Sequence, residues 1–335
     1  MKDTKYIFIV GSSRSGTTMM SRVLNENKSI FSFQELHFFS QFYSNRKSDR
    51  LDYKLSLKML LVLFNRQEYG VFTNNTDKKF NTIAASLILE NSDYSYFEIF
   101  GIFIDYILKK KGKNIACLQT PNNLFYIKDI LEEYPNSVAI NMVRDNRDVL
   151  LSQKHKWRRK FLGAQGIPLF ESFRSMFNYH PITTSLVWNS SLSVTERFIN
   201  NQRFKVIRFE DFISLPIENC KDICSFLSVD FHDKMLLVPN IGSSTKKDEN
   251  NLLIDSTKIY KWKNGGLNKA ELFLAQYLSR YFMQKYQYEK MNFTFPPISL
   301  LFYFITFPIK SFFAFCFNLG RMSSVVDIIK PNKKE

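Results

Sequence analysis

Val10-Gly11-Ser12-Ser13-Arg14-Ser15-Gly16-Thr17-Thr18, read VGSSRSGTT over residues 10–18, is the stretch on which the fold turns. The apolar run Tyr6-Ile7-Phe8-Ile9-Val10 precedes it and the helix-patterned MMSRVLNEN (19–27) follows, so the segment reads as strand, glycine loop, helix. Backbone N–H groups and a helix N-terminus there form a concave anion site, and Gly11 and Gly16 allow the close approach that side chains would block. Ser12, Ser13, Ser15, Thr17 and Thr18 add hydroxyl donors, while Arg14 adds a planar cation suited to gripping an oxyanion at two points. A triphosphate loop places lysine directly after its second glycine; this chain has Thr17, which serves a magnesium-bound triphosphate poorly.

Outward from this loop, the pattern keeps alternating. Strands are expected at IFSF (30–33), NIACL (114–118), SVAINMVR (137–144) and FKVIRF (204–209). Helices are expected near 35–45, 53–65 and 96–109, from a cap at Thr120 or Asn122 to about Tyr134, after Asp145, over 216–229 and over 267–286. Residues 66–81 read as polar and turn-rich, and 239–266 as a long loop. Such alternation implies an α/β fold with a mainly parallel sheet covered on both faces by helices.

The chain of 335 residues is 45% apolar and 16% aromatic, enough for a substantial core. Lys and Arg outnumber Asp and Glu by 46 to 31, and the net charge of +15 favours an anionic partner without naming it. Cys117, Cys220, Cys224 and Cys316 show no zinc spacing and read as buried reduced thiols; His37, His155, His180 and His232 are scattered, so no metal is expected. No RNA-binding or zinc-finger signature is present, and nucleic acid is not an expected partner. The first strand starts by residue 5, leaving no room for a removed secretion signal, which gives a cytoplasmic expectation. ISLLFYFITFPIKSFFAFCF (298–317) approaches a bilayer-spanning length but is interrupted by Pro308 and Lys310. It reads either as a docked hydrophobic hairpin or as a peripheral membrane contact.

A second anion motif stands at Val143-Arg144-Asp145-Asn146-Arg147-Asp148-Val149-Leu150-Leu151-Ser152. Arg144 at a strand's carboxyl edge and Ser152 two turns into the next helix can reach one phosphate, and Lys156 lies one turn further on the same face. On its own, this acidic-basic cluster also fits a solvated, salt-bridged helix start. Two anion sites suit a nucleotide charged at both its 5′ and 3′ ends.

Together, G-S-S-R-S-G-T-T followed by Met19-Met20 and R-D-N-R-D-V-L-L-S resemble the 5′-phosphosulfate loop and 3′-phosphate site of sulfotransferases that use 3′-phosphoadenosine 5′-phosphosulfate. The resemblance implies a P-loop-type three-layer fold and that nucleotide as co-substrate. It places cofactor contacts at Ser13, Arg14, Ser15, Gly16, Thr17, Thr18, Arg144, Ser152 and Lys156. It further implies Glu35, 24 residues after Gly11, as the general base, with His37 as fallback base or substrate contact and Arg14 stabilising the leaving group. Glu35 also fits an ordinary carboxylate at a helix N-terminus.

Relatives carry a lysine where this chain has Gln119 in Gln119-Thr120-Pro121; Lys261 or Arg208 could compensate for the lost cation. Ser244, Lys261 and Trp262 match the family's cofactor-covering loop, although Trp262 fits a core anchor equally well, and Glu210 and Asp211 are expected to cap the segment after Arg208. The expected organisation is an α/β domain over 1–290, a helical acceptor-site insert at about 42–113, and a hydrophobic tail over 291–335. A glycan, glycolipid or related hydroxyl is the expected acceptor. The competing readings are a P-loop kinase-like phosphotransferase and a non-catalytic, membrane-peripheral nucleotide or polyanion binder.

Overall fold

The computed structural model describes residues 5–43, 50–72, 77–162, 166–237 and 259–319. Its centre is a five-stranded, all-parallel sheet of β1 (Lys5–Gly11), β2 (Ile30–Phe33), β3 (Ile115–Gln119), β4 (Ser137–Val143) and β5 (Phe204–Arg208), ordered β2-β3-β1-β4-β5. The strand register runs Ile9 opposite Gln119 on one side and Gly11 opposite Met142 on the other, so the ends of β1, β3 and β4 finish together.

Period-two alternation along β1 builds two cores. Tyr6, Phe8 and Val10 face α3 (Tyr53–Tyr69), α5 (Tyr96–Lys111) and α6 (Ile127–Glu133), where they meet Leu60, Leu63, Phe100, Phe103 and Ile130. Ile7 and Ile9 face α1 (Thr17–Asn25), α10 (Phe209–Ser214) and α11 (Pro216–Leu227), among Met20, Val23, Phe212 and Ile223. The outcome is the three-layer α/β arrangement that the alternation implies. Burying a residue such as Phe103, which is 0% exposed, contributes on the order of 2 to 3 kcal/mol of transfer free energy.

Local chemistry explains where several helices begin. Ser95 and Glu98 form a reciprocal capping box at α5, and Asn268 with Glu271 does the same for α12 (Lys269–Leu278). Asp52 caps α3 through its carboxylate and the Leu55 N–H at 2.7 Å.

Several boundaries differ from the sequence expectation. The helix expected near 35–45 shrinks to α2 (Phe38–Gln41), because His37 takes a left-handed φ of 51° immediately before it. Neither Thr120 nor Asn122 caps a helix; Pro121–Tyr126 forms a 3-10 turn before α6. The polar segment after residue 65 is partly helical, since α3 runs on to Tyr69 and α4 (Lys79–Ser86) buries Phe80 and Ala84 against the core. After β4 come α7 (Asn146–Lys154), a 3-10 helix at Lys156–Leu162, α8 (Leu169–Asn178) and α9 (Pro181–Phe198), of which α8 and α9 have no counterpart in the expectation. The long helix expected over 267–286 breaks at Ser279 into α12 and α13 (Arg280–Lys285). The C-terminal apolar run is a continuous helix, α14 (Leu300–Asn318), rather than a hairpin, with Pro308 inside it. Of the four thiols, Cys117, Cys220 and Cys224 are buried as expected, whereas Cys316 is exposed on α14.

Candidate active site

The sheet order fixes where a ligand can sit. The chain leaving β1 travels to β2 at one edge, and the chain leaving β4 travels to β5 at the other edge, while β1 and β4 lie side by side. Their carboxyl ends therefore flank the topological switch point, where the diverging connections open a crevice. Both anion motifs follow these two strands.

The first loop is shaped by its glycines. Gly11 has φ 136° and a Cβ there would lie 2.3 Å from the Met142 carbonyl oxygen; Gly16 has φ 96° and its Cβ would lie 2.4 Å from the Phe209 ring. Only glycine meets both conditions without moving β4 or Phe209. Arg14 itself sits at φ 78°, a conformation rarely taken by a side-chain-bearing residue. That turn sends its Nε to donate to Ser152 Oγ at 2.8 Å. Ser13 is half-buried and Thr18 is exposed on the first turn of α1, while the Ser15 hydroxyl is buried with no hydrogen-bond partner among the described residues. Such an orphan costs about 1 to 3 kcal/mol unless a ligand or solvent completes it.

The second loop docks directly on the first. Arg144 donates from Nη1 to the Arg14 carbonyl at 3.4 Å and from Nη2 to Asp148 at 3.2 Å, with its guanidinium 4.3 Å from the Phe209 ring centroid. Asp145 caps α7 through the Arg147 N–H and receives the Arg147 guanidinium at 3.0 and 2.7 Å. Both members of that pair are fully buried. The cluster is thus no solvated helix start but a buried ionic frame that aims Arg144 and Ser152 at one crevice. Arg147 stacks on Trp262 at 3.7 Å, and the backbone N–H of Trp262 donates to Asp148 at 2.9 Å. Trp262, 5% exposed, is therefore the inward-facing support of Arg147, the core-anchor alternative. Lys261, next to it on a 3-10 turn, is half-buried.

Glu210 does more than cap its helix, contrary to expectation. Its carboxylate accepts the Asp145 N–H at 3.0 Å and the Tyr288 hydroxyl at 3.2 Å, tying β5 to the β4–α7 turn, and burial pushes its pKa up to about 7. Arg208 pairs with Asp211 at 3.1 Å and lies over Tyr288, so its contacts run there and not to the Arg14 cluster. That leaves it a poor substitute for the missing lysine. Gln119 occupies that lysine's place and donates to Thr17 Oγ1 at 3.1 Å, which fixes the hydroxyl at the start of α1. Ser244 lies outside the described residues.

Electrostatics gathers the remaining groups. Lys156 is pushed down to about 8, by burial first and then by the charges of Arg14 and Arg174, with Glu35 opposing and Arg159 adding to the depression. Arg14 is pushed down to about 10 by burial and by Arg159 and Arg144, again with Glu35 opposing. Glu35 is raised by burial against the lowering fields of Lys156, Arg159 and Arg14. Its side chain keeps 40% of its surface open, and His37 Nε2 stands 3.4 Å from Oε1. A carboxylate thus stands beside a cleft where Arg14, Lys156 and Arg159 act on it together, with Arg144 acting in turn on Arg14. Such a cleft takes a polyanion and offers a base beside it.

Sequence reasoning missed Arg159 and Arg174. The Nε of Arg159 is buried with no hydrogen-bond partner among the described residues. Its signal was present, because Arg159 follows Lys156 by three residues in Lys156-Trp157-Arg158-Arg159-Lys160 and so shares its face of the 3-10 helix. Arg174 comes from α8 and had no local signal.

Against known proteins, the profile of the sulfotransferase family matches residues 6–233. The chain is 25% identical over 240 residues, 70% of its length, to the protein-tyrosine sulfotransferase of Drosophila melanogaster, and the match spans 40% of that protein. Two solved sulfotransferase domains resemble its fold with a TM-score of 0.54, one from the curacin biosynthetic pathway at 20% identity and one from the Synechococcus PCC 7002 olefin synthase at 19%. Each similarity covers 87% of this chain, and 100% and 98% of the respective domains.

Proposed function

Because the chain belongs to the sulfotransferase family, we propose that it transfers a sulfuryl group from 3′-phosphoadenosine 5′-phosphosulfate to a hydroxyl of a glycan, glycolipid or related acceptor. The observation that carries this reading is the 2.8 Å bond between Arg14 and Ser152, which joins the two anion motifs across the switch point. One nucleotide can then touch the glycine loop with its 5′ end and the Arg144–Ser152 pair with its 3′ phosphate.

The residues present fit such a ligand. The orphaned Ser15 hydroxyl, the buried Arg159 Nε and the depressed Lys156 all improve when an anion arrives. When bound, the nucleotide would supply an activated sulfuryl group for the acceptor oxygen, with the 5′ phosphate as leaving group. Glu35 takes the acceptor's proton, and its raised basicity suits that task. Arg14, on the glycine loop, is the cation assigned to the negative charge growing on the departing phosphate, and Gln119 keeps Thr17 oriented on the loop. The segment carrying α3 to α5, between β2 and β3, is the proposed acceptor side.

Thermal-shift measurements test this reading. Adenosine 3′,5′-bisphosphate should raise the melting temperature, whereas ADP with magnesium should not, since a ligand stabilises only the state it binds. The reverse ranking would favour a kinase-like phosphotransferase.

Lys156 adds a pH signature. Its protonated form attracts the nucleotide, and it loses that proton near pH 8. Affinity for the bisphosphate, followed by titration calorimetry, should therefore be full below about pH 8 and fall above it. Lys156→Arg should remove the fall.

A further inference from the structure

The C-terminal helix α14 is predominantly apolar, and among the described residues it is covered on one side only. Of its 19 residues Tyr303 alone is buried, and Leu301, Ile305, Ile309 and Phe312 are between 54% and 65% exposed. A helix with no polar face normally lies inside a core or in lipid. The exposed positions 301, 305, 308–309, 312 and 315–316 form one stripe, while 303, 307, 310, 314 and 317 turn toward the domain. By length and composition α14 could cross a bilayer.

Its tethers decide otherwise. Near its start, Asn268 donates to the Tyr303 hydroxyl at 2.7 Å; midway, Lys310 donates to the Tyr179 carbonyl at 3.2 Å. At its end, Arg174 donates to Asn318 Oδ1 at 2.8 Å, and Asn318 donates to Asn178 at 2.7 Å. Phe317 packs on Phe170 and Phe177 of α8, with centroids 5.3 and 5.0 Å apart. The helix is held lengthwise along the domain, so its outer stripe can enter an apolar medium only edge-on. The apolar surface continues beyond it, because Leu169, Phe170 and Phe173 on α8 and Phe161 on the preceding turn are each about half exposed or more.

Charge selects the partner. Residues 298–319 contain no carboxylate, and on the turn before α8 Arg158 is exposed and Lys160 half-buried, while Glu171, the single carboxylate of residues 156–178, is paired with Arg174. Apolar side chains with a basic border suit an anionic lipid surface. We infer that α14 and α8 together form a platform that seats the protein flat on an anionic bilayer. Arg174 belongs both to this platform, through Asn318, and to the surroundings of Lys156, so the cation cleft opens beside the seated surface. The inference goes beyond sulfuryl transfer and does not depend on it.

Flotation of the full chain tests it, using vesicles of phosphatidylcholine alone and of equimolar phosphatidylcholine and phosphatidylglycerol. The protein should float with the anionic vesicles, less with neutral ones, and less in high salt. Phe304→Ser with Phe312→Ser alters side chains that are 56% and 63% exposed. Roughly ten-fold weaker vesicle binding is expected for each phenylalanine removed, with an unchanged melting temperature and unchanged response to adenosine 3′,5′-bisphosphate. Failure of the parent to float on either vesicle, or equal flotation of the double variant, overturns the inference. So does a dimer that the same substitutions dissociate in the absence of flotation, because α14 would then be the contact between two copies. A chain that floats yet ignores the bisphosphate keeps the platform and sinks the proposed transfer.

Discussion

Glu35→Gln is expected to cut kcat by roughly 100- to 10,000-fold, the range for loss of a positioned base, while adenosine 3′,5′-bisphosphate still binds within a few-fold of the parent. The amide matches the carboxylate in size, so the loop after β2 has no reason to move. The change removes one negative charge from among Arg14, Lys156 and Arg159. In the parent, kcat/KM should rise with pH as Glu35 loses its proton, above the ordinary carboxylate range because burial raises it, and fall again as Lys156 deprotonates near 8. In the variant the acidic limb should vanish. The basic limb should move to lower pH, since Glu35 helps Lys156 to hold its proton. Single-turnover transfer followed across pH separates the two effects. Turnover at the parent rate would hand the base role to His37, whose Nε2 lies 3.4 Å away, or to solvent.

The legible parts of this molecule were those written in short-range chemistry. The loop from Gly11 to Thr18 and the Arg144–Ser152 segment each follow an apolar run, and their ligand-binding shape depends on glycine conformations and helix starts that a dozen residues specify. That the two motifs meet depends on β1 and β4 pairing, a long-range fact, yet strand-helix alternation with parallel strands leaves few other arrangements. What stayed hidden was assembled by tertiary packing. Arg174 reaches the cleft from α8, and α8 has no sequence signal pointing to β4 or the glycine loop. The burial of the Asp145–Arg147 pair is not written in its own segment, which taken alone also fits a solvated helix start, because nothing nearby announces Trp262, which comes from more than a hundred residues away to cover it. The breaks at Ser279 and Tyr126 likewise answer to packing and 3-10 geometry rather than to helical periodicity.

Arg14→Ala should lower kcat by roughly 100- to 1,000-fold, the scale of removing one preorganised donor from a developing oxyanion, and should weaken bisphosphate binding as well. Arg14→Lys should recover only part of either, because an ammonium cannot bond Ser152 and a ligand oxygen with the fixed fork of a guanidinium. The backbone gives no escape route, since alanine and lysine inherit the same φ of 78° and any strain that goes with it. A loss confined to stability would accordingly be similar in both variants. A loss of electrostatic stabilisation would rank them arginine, lysine, alanine. The fields around Arg14 provide a second readout that a merely structural role would not produce. Arg14 lowers the pKa of both Glu35 and Lys156, so its removal must raise both. The whole pH profile of the alanine variant should therefore slide to higher pH, the acidic limb because Glu35 holds its proton longer and the basic limb because Lys156 does. The lysine variant, which keeps the charge, should show much less displacement. Profiles of both variants centred where the parent's is centred would mean that Arg14 does not face Glu35 and Lys156 across one cleft, and the joint site would have to be abandoned.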